Sequence, residues 1–157
     1  MDTKLATLSP KEINMFLSDD RALVGRLATI NNDGYPYIVP VHFVYLEGKI
    51  YIHGSTKGSK IDNIARNSKV SFEVEFMDQI IPAQMPCYAN TTFTSVIITG
   101  QAGLTKDEEL KQTVLNLFVD KYLPNGDYDA MPAKFVNMTG VIEIVPDSMS
   151  AKSRVTA

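Results

Sequence analysis

The sequence predicts a mostly β protein with flanking helices, folded as a small six-stranded antiparallel barrel. Six segments rich in β-branched and aromatic residues carry the strand signal. The first three are joined by short turns, at Asn31 to Gly34 and at Glu47-Gly48, so neighbouring strands are expected to run antiparallel. The helical segments fall before, between and after runs of strands instead of alternating with each strand. This order excludes a parallel α/β sheet.

A short helix is predicted first. Ser9 can cap its start, Pro10 suits the first helical position, and Glu12 completes a capping box. The helix is expected to run to about Leu17. An antiparallel meander of three strands then follows, over residues 22–30, 35–45 and 49–53.

The second of these strands is apolar on both faces. Tyr37, Val39 and Val41 share one face, and Ile38 and Pro40 share the other. Both faces are therefore expected to be covered, as in a barrel wall with a partner or a helix outside. The prolines at positions 36 and 40 cannot donate to a ladder, which predicts an edge or bulged strand. Open backbone groups along such an edge could pair with a planar ligand.

The second half of the chain is predicted to hold two strands, a helix and a last strand. A short helix from Lys60 to Arg66 precedes them, and residues without clear periodicity, Met77 to Thr91, indicate a long loop. A capping box at Thr105 to Glu108 begins the longer helix, which is expected to end near Tyr122. The remaining strands are predicted over residues 70–76, 92–104 and 140–145, and the polar tail after them as a frayed terminus.

Composition bounds the classes of function. The chain has 157 residues, the size of one domain over residues 1–157, and a net charge of −3 without a basic cluster that would indicate nucleic-acid binding. The sequence contains no run of 18 consecutive apolar residues, so no membrane-spanning helix is expected, and its first residues do not resemble a secretory leader. The one cysteine, Cys87, cannot form an intrachain disulfide. These features favour a cytoplasmic protein that binds neither nucleic acid nor membrane.

The turn from Gly54 to Lys60 has the ingredients of an anion site. Two glycines permit close approach of the backbone, and the following helix presents free N–H groups at its start. Ser55 and Ser59 add hydroxyl donors, and Lys60 adds a positive charge. The spacing is neither that of a P-loop nor that of a dinucleotide-binding fingerprint. Residue types alone leave two interpretations open, a phosphate cradle and a capped, solvated turn.

Four other side chains are candidates for chemistry. His42 and His53 are the only histidines, and both lie on predicted strands, where hydrogen-bonded barrel histidines and a shared site are both open interpretations. They have no third ligand at metal-binding spacing, so no metal site is predicted. Cys87 has no neighbour in sequence that would lower its pKa. Lys152, in the tail, could be a late cationic clamp or a solvated side chain.

Several ordered blocks of sequence resemble one known family. They are GRLA at 25–28, PYIVPV at 36–41, GKIYIHG at 48–54, GSK at 58–60, TSVI at 94–97 and MSAK at 149–152. Together they resemble the FMN-binding split-barrel superfamily and, within it, the nitroimidazole-resistance (Nim) family of proteins similar to pyridoxamine 5'-phosphate oxidase. The resemblance runs over nearly the whole chain. The family's usual glycine before the late lysine is Ala151 here.

The resemblance implies a split β-barrel that forms a homodimer, with FMN bound at the subunit interface. His53, Gly54 and Ser55 would line the FMN phosphate, and Ser59 and Lys60 would complete its cradle. The strand expected to run along the isoalloxazine ring holds Val39, Pro40, Val41 and His42. Ser95 and Val96 would lie on a strand near the same site, and Lys152 matches the late lysine of the family.

The resemblance also implies an FMN-dependent oxidoreductase that reduces a small aromatic electron acceptor, with nitroimidazole drugs as one candidate substrate. His53 is the predicted catalytic proton donor, and its alternative role is to order the phosphate end of the site. Two other interpretations stay open. One is a haem-binding split barrel with His42 or His53 as axial ligand, and the other is a flavin-binding module without turnover. FAD is the alternative flavin.

Overall fold

The computed structural model describes residues 3–156, and both ends of the predicted domain, Met1 and Ala157, lie outside them. The strands are β1 Thr3–Thr7, β2 Gly25–Ile30, β3 Pro36–Val41, β4 Val44–Leu46, β5 Lys49–Gly54, β6 Lys69–Ile81, β7 Asn90–Leu104 and β8 Gly140–Thr156. The helices are α1 Pro10–Leu17, α2 Ser59–Arg66, α3 Glu108–Tyr122 and α4 Ala133–Met138, with a 3-10 turn at Pro86–Tyr88.

All eight strands belong to one antiparallel sheet. Its order is β3-β2-β6-β7-β8-β5-β4, and β1 pairs with β8. β3 and β4 are therefore at opposite ends of this path, although only His42 and Phe43 separate them in the chain. The sheet must curl until its two ends meet at these residues, which produces the split of the barrel. The predicted class, a mostly β antiparallel split barrel with flanking helices, is confirmed.

Two apolar clusters hold the fold together. The larger fills the inside of the curled sheet, where Leu17 of α1 and Ile64 of α2 pack with Phe43 and Phe72. The smaller lies between α3, α4 and the sheet, and includes Phe118. α3 is thereby fixed against β4 and β5, the two strands that follow the split.

Local signals give the start of α1, the end of α2 and the β4–β5 turn correctly, but not the cap of α3. Ser9 and Glu12 form the predicted capping box at α1, and Asn67 caps the end of α2. Glu47 and Gly48 both have positive φ, as a tight hairpin turn between β4 and β5 requires. The predicted cap of α3 is wrong, because Asp107 caps that helix through the N–H of Leu110, while Thr105 accepts from Asp107.

Predictions that depend on distant pairing are less accurate. The segment Tyr35 to Tyr45 is two strands, not one, and the meander breaks between them because β3 pairs with β2 while β4 pairs with β5. The sheet has eight strands instead of six. The added strands are β1, which pairs along β8, and the separate β4.

Two segments predicted as irregular are strands. β6 continues to Ile81 and β7 begins at Asn90, so both ends of the predicted loop over residues 77–91 are paired strands, with a bulge near Met77, and residues 82–89 connect them. The predicted frayed tail is the second half of β8, paired with β7 on one side and β1 on the other. Neither segment has an apolar periodicity that would reveal it, because pairing with a neighbouring strand orders most of the backbone, although Ala151 and Ser153 of the tail are also buried.

Candidate functional site

A cleft of about 440 Å³ opens where the two ends of the sheet meet. Its lining residues are Val24, Pro40, Val41, His42, His53 and Lys60. One wall is thus the end of β3, and the other is formed by β5 and the start of α2. Residues far apart in the chain converge here because the curled sheet brings β3 next to the β4–β5 hairpin. The volume lies within the usual range of small-molecule sites.

The β3 wall is the free edge of the sheet. β3 pairs with β2 on one side and has no strand on its other side within residues 3–156. The edge or bulged strand predicted from Pro36 and Pro40 is therefore found. Val39 packs inward against the core, whereas Pro40 and His42 are exposed. Pro40 has no backbone N–H, so this edge gives the cleft a carbonyl acceptor beside an apolar surface.

His53 combines an open side with a packed side. Its ring packs edge-on against Phe118, with the ring centroids 4.2 Å apart, while part of its surface stays exposed. This partial burial and, to a smaller extent, the charge of nearby His42 lower the pKa of His53 below its usual 6.5. The imidazole is therefore mainly neutral at pH 7.

His42 occupies the crossing between β3 and β4. Its ring stacks on Tyr122, with the centroids 4.4 Å apart and the planes 23° from parallel. Tyr122 in turn stacks on Phe118 one turn earlier in α3, at 5.7 Å. Both histidines of the cleft thus pack against one face of α3, a helix for which the sequence predicted only the start and the end. The i, i+4 spacing of Phe118 and Tyr122 indicates that they share one face of the helix, but not that this face reaches the cleft.

The turn after β5 is shaped by Gly58. Its φ of +116° and ψ of 173° lie in a region that only glycine occupies readily. Gly58 is also the N-cap of α2, and this helix start has no side-chain cap. The first N–H groups of the helix, at Ser59 and Lys60, therefore keep free hydrogen-bonding capacity.

Lys60 reaches back over the end of β5. Its Nζ would lie 4.0 Å from a Cβ placed on Gly54, and Lys60 makes no ion pair within residues 3–156. Ser55 and Ser59 are exposed beside it. The Ser55 hydroxyl already accepts from the N–H of Lys57, which folds the turn on itself. The turn thus offers a positive charge, free N–H groups and hydroxyls on one side.

A buried polar contact fixes the direction of α2. The Nδ2 atom of Asn63 donates to the Thr29 hydroxyl of β2 at 2.9 Å, and both side chains are buried. Arg66 donates to the other side of the Asn63 amide at 2.8 Å. Because a buried amide is costly to leave unpaired, this network holds α2 in one orientation on the sheet. The start of α2 is therefore a fixed part of the cleft.

The other predicted site residues form a separate group. Ser95 pairs with Lys152 across β7 and β8, while the side chain of Val96 is fully buried in the core. A row of pairs leads from the cleft to this group, from Val41 through Gly25, Val74 and Val96 to Ala151. Each step is about 4.8 Å, so Lys152 lies roughly 20 Å from Val41 along the sheet. Within one protomer, Ser95, Val96 and Lys152 do not line the cleft.

Within the described residues, neither Cys87 nor any metal-binding cluster forms a further site. Cys87 is exposed in the 3-10 turn at the tip of the β6–β7 arm. Over residues 3–156 there is no cluster of three His, Cys, Asp or Glu side chains that could hold a metal ion. In the same range, no helix has the length and apolar character needed to span a membrane.

These features define an antiparallel split-barrel protein with a ligand-sized cleft at the split. A family model described as pyridoxamine 5'-phosphate oxidase matches residues 9–153, and the chain belongs to this family. The family resemblance drawn from the sequence is thus confirmed at this level. A comparison with curated proteins gave no match.

Solved structures share the fold at low sequence identity. A candidate 5-nitroimidazole antibiotic resistance protein from Bacteroides thetaiotaomicron VPI-5482 has a TM-score of 0.79 and 21% identity, covering 98% of this chain and 92% of that one. An FAD- and haem-binding protein from Mycobacterium smegmatis has a TM-score of 0.80 and 21% identity, covering 96% and 73%. A flavocytochrome from Azotobacter vinelandii has a TM-score of 0.79 and 24% identity, covering 95% of this chain and 69% of that one.

Proposed function

We propose that this chain binds FMN in the cleft and acts as an FMN-dependent oxidoreductase of small aromatic compounds. One observation carries the proposal: the free edge of β3 and the donor-rich start of α2 meet in one cleft of about 440 Å³. A flavin needs both features, a flat polar edge for its ring and a cationic, N–H-rich cradle for its phosphate. Membership of the family supports the same cofactor.

The residues present fit the chemistry of FMN. Gly54 and Gly58 leave room for an approaching phosphate. A Cβ placed on Gly58 would meet no atom within 4 Å, and one placed on Gly54 would meet only the Nζ atom of Lys60, at 4.0 Å. Lys60 and the free N–H groups of Ser59 and Lys60 provide positive charge and donors, and Ser55 adds a hydroxyl. Val39, Pro40, Val41 and His42 would run beside the isoalloxazine ring. Bound FMN would supply the electron-transfer chemistry.

His53 is the candidate catalytic residue of the chain. It lines the cleft, and its ring is held by Phe118 with one side open. A depressed pKa makes the imidazolium a stronger acid, so a protonated His53 would give up its proton readily to a reduced acceptor. The open cleft beside it would admit a flat molecule. The acceptor class, small aromatic compounds including nitroimidazoles, is supported by the description of the Bacteroides structure.

The proposed assembly is a homodimer with the flavin at the subunit interface. Two observations support it. Ile38 and Ile97 lie on the outer face of the same sheet and are 63% and 51% exposed. Ser95 and Lys152 do not line the cleft of their own protomer, so a second copy would have to supply them if they contact the flavin. Sedimentation should give a dimer, and Ile97→Asp should give a monomer. A monomeric wild type would contradict this arrangement.

The visible spectrum of the purified protein tests the cofactor, followed by release of the chromophore and mass spectrometry. A two-band flavin spectrum with FMN released is the expected result. Released FAD would correct the cofactor within the same class. A single intense Soret band would replace the proposal with a haem protein that uses His42 or His53 as ligand. A colourless protein that takes up neither added FMN nor added haem would overturn the proposed function.

The free Cys87 is compatible with the proposed cytoplasmic location.

A further inference from the structure

The crossing between β3 and β4 leaves backbone groups without a ladder partner. β3 ends at Val41, which pairs with Gly25, and β4 begins at Val44, which pairs with Tyr51. The two residues between these pairs, His42 and Phe43, step from one end of the sheet to the other. Phe43 is fully buried, so its N–H and C=O cannot turn to water. Another group must satisfy them if this crossing is to hold one conformation.

A single hydroxyl group of α3 meets this need. The N–H of Phe43 donates to the Tyr122 hydroxyl at 2.9 Å. The same hydroxyl can donate to the carbonyl of Phe43 at 2.9 Å or to that of Leu23 at 2.8 Å. Leu23 precedes β2, so the hydroxyl joins the approach to β2 with the crossing. Burial raises the pKa of Tyr122 above its usual 10, so the hydroxyl keeps its proton even in alkaline solution.

The ring of Tyr122 acts on the cleft directly. It stacks on His42, a lining residue, while Phe118 on the same face of α3 packs against His53. α3 itself is anchored in the second apolar cluster through Val114, Leu115 and Phe118. The helix therefore acts as a rigid support whose last turn reaches both histidines. Among the side-chain hydrogen bonds of α3 in the described part of the chain, only those of the Tyr122 hydroxyl reach the backbone next to the β3 edge.

We infer that Tyr122 is a positioning residue of the cleft: its hydroxyl fixes the His42–Phe43 crossing, and its ring fixes the orientation of His42. Loss of the hydroxyl would free the backbone directly after Pro40 and Val41, the residues offered to the flavin ring. The effect on flavin binding rests on the proposed function. The effect on the Phe43 backbone does not.

Tyr45→Phe is a matched control for Tyr122→Phe. The Tyr45 hydroxyl also makes a side-chain hydrogen bond, to Asn14 at 2.6 Å, but it links β4 to α1 and does not line the cleft. Both variants keep the aromatic ring and remove one hydroxyl. Their difference in FMN affinity therefore isolates the position of the hydroxyl from the general loss of a hydrogen bond.

The expected result is that Tyr122→Phe raises the Kd for FMN about tenfold over Tyr45→Phe. Exchange of the Phe43 amide should also accelerate in Tyr122→Phe and not in Tyr45→Phe. The ring-current shift of His42 should persist in Tyr122→Phe and disappear in Tyr122→Leu. An FMN affinity equal to that of Tyr45→Phe would overturn the inference. If the wild type binds no flavin, the proposed function fails, and an unchanged Phe43 amide would then overturn the positioning role separately.

Discussion

The Nζ atom of Lys121 lies 4.0 Å from the centroid of the Phe43 ring and has no hydrogen-bond partner within residues 3–156. The ammonium group is held by the face of an aromatic ring, since none of the ion pairs among the described residues includes it. Burial lowers its pKa to about 8, and the charges of Asp20 and Asp19 oppose this shift only in part. The charge therefore costs stability at neutral pH.

Lys121→Met should stabilise the protein at pH 7 by about 1 kcal/mol, because the desolvation cost, reduced by solvent screening of this half-buried side chain, exceeds the cation–π attraction. The pKa of Lys121 is about 8 in the folded chain and its ordinary value is 10.5. Between these two pH values, the unfolded chain therefore keeps a proton on Lys121 that the folded chain has lost. Wild-type stability thus rises with pH across this window, and the advantage of the variant should shrink. Urea unfolding at pH 7 and pH 10 measures this, with the exposed Lys57→Met as control. A less stable variant at pH 7 would contradict it.

Lys60→Ala should weaken FMN binding about 10- to 100-fold, because it removes a charge-assisted contact to the phosphate and no core volume. Its unfolding midpoint should stay close to that of the wild type. Fluorescence titration of the apoprotein with FMN measures the Kd. Lys57→Ala, three residues earlier and fully on the surface of the turn, should leave the Kd unchanged. Equal affinity in the two variants would remove Lys60 from the cradle.

Gly58→Ala should destabilise the protein by about 1–3 kcal/mol and weaken FMN binding as well. The cause is backbone strain alone, since a Cβ at Gly58 meets no atom within 4 Å, whereas φ is +116°. Gly103→Ala is the control, because its Cβ also meets nothing within 4 Å and its φ is ordinary. Urea unfolding and FMN titration of both variants test the prediction, which fails if they are equally stable.

The imidazole of His53 should titrate below pH 6.5 in an NMR titration of the apoprotein. Phe118→Leu should raise its pKa most, because burial is the larger cause of the depression, and His42→Gln should raise it less. Reductase activity should increase as the pH falls toward this pKa, since protonated His53 is the proposed donor. A His53 that titrates above 6.5, or a lower pKa in His42→Gln, would contradict this assignment.

Elements with local chemical signals were predictable from the sequence. Ser9 and Glu12 specify the start of α1, and Glu47-Gly48 specifies the β4–β5 turn. The split itself was not predictable. In residues 35–45 the side chains fit the two alternating faces of one continuous strand. Only the different partners of Val41 and Val44 divide this segment into β3 and β4.

The same division applies to the cleft. Pro40, His42, His53 and Lys60 could be grouped from the sequence because each lies in a block that resembles the family, and the structure brings them into one cleft. Tyr122 could not be found in this way. Its role depends on a hydroxyl that reaches the backbone of a residue 79 positions earlier in the chain, and its helical spacing indicates only a core-facing side chain.

The place of β8 in the sheet has a consequence for how the chain folds. Within residues 3–156, the β4–β5 hairpin joins the remaining strands only through Gly140 to Ile144 of β8. During synthesis, Ile50 and Ile52 therefore lack their strand partners, Ile144 and Ile142, until the last part of the chain has emerged from the ribosome. Contacts of such long sequence separation slow folding and lengthen the exposure of apolar strands. A pause in translation before Gly140 would leave a chain prone to aggregation and dependent on chaperones.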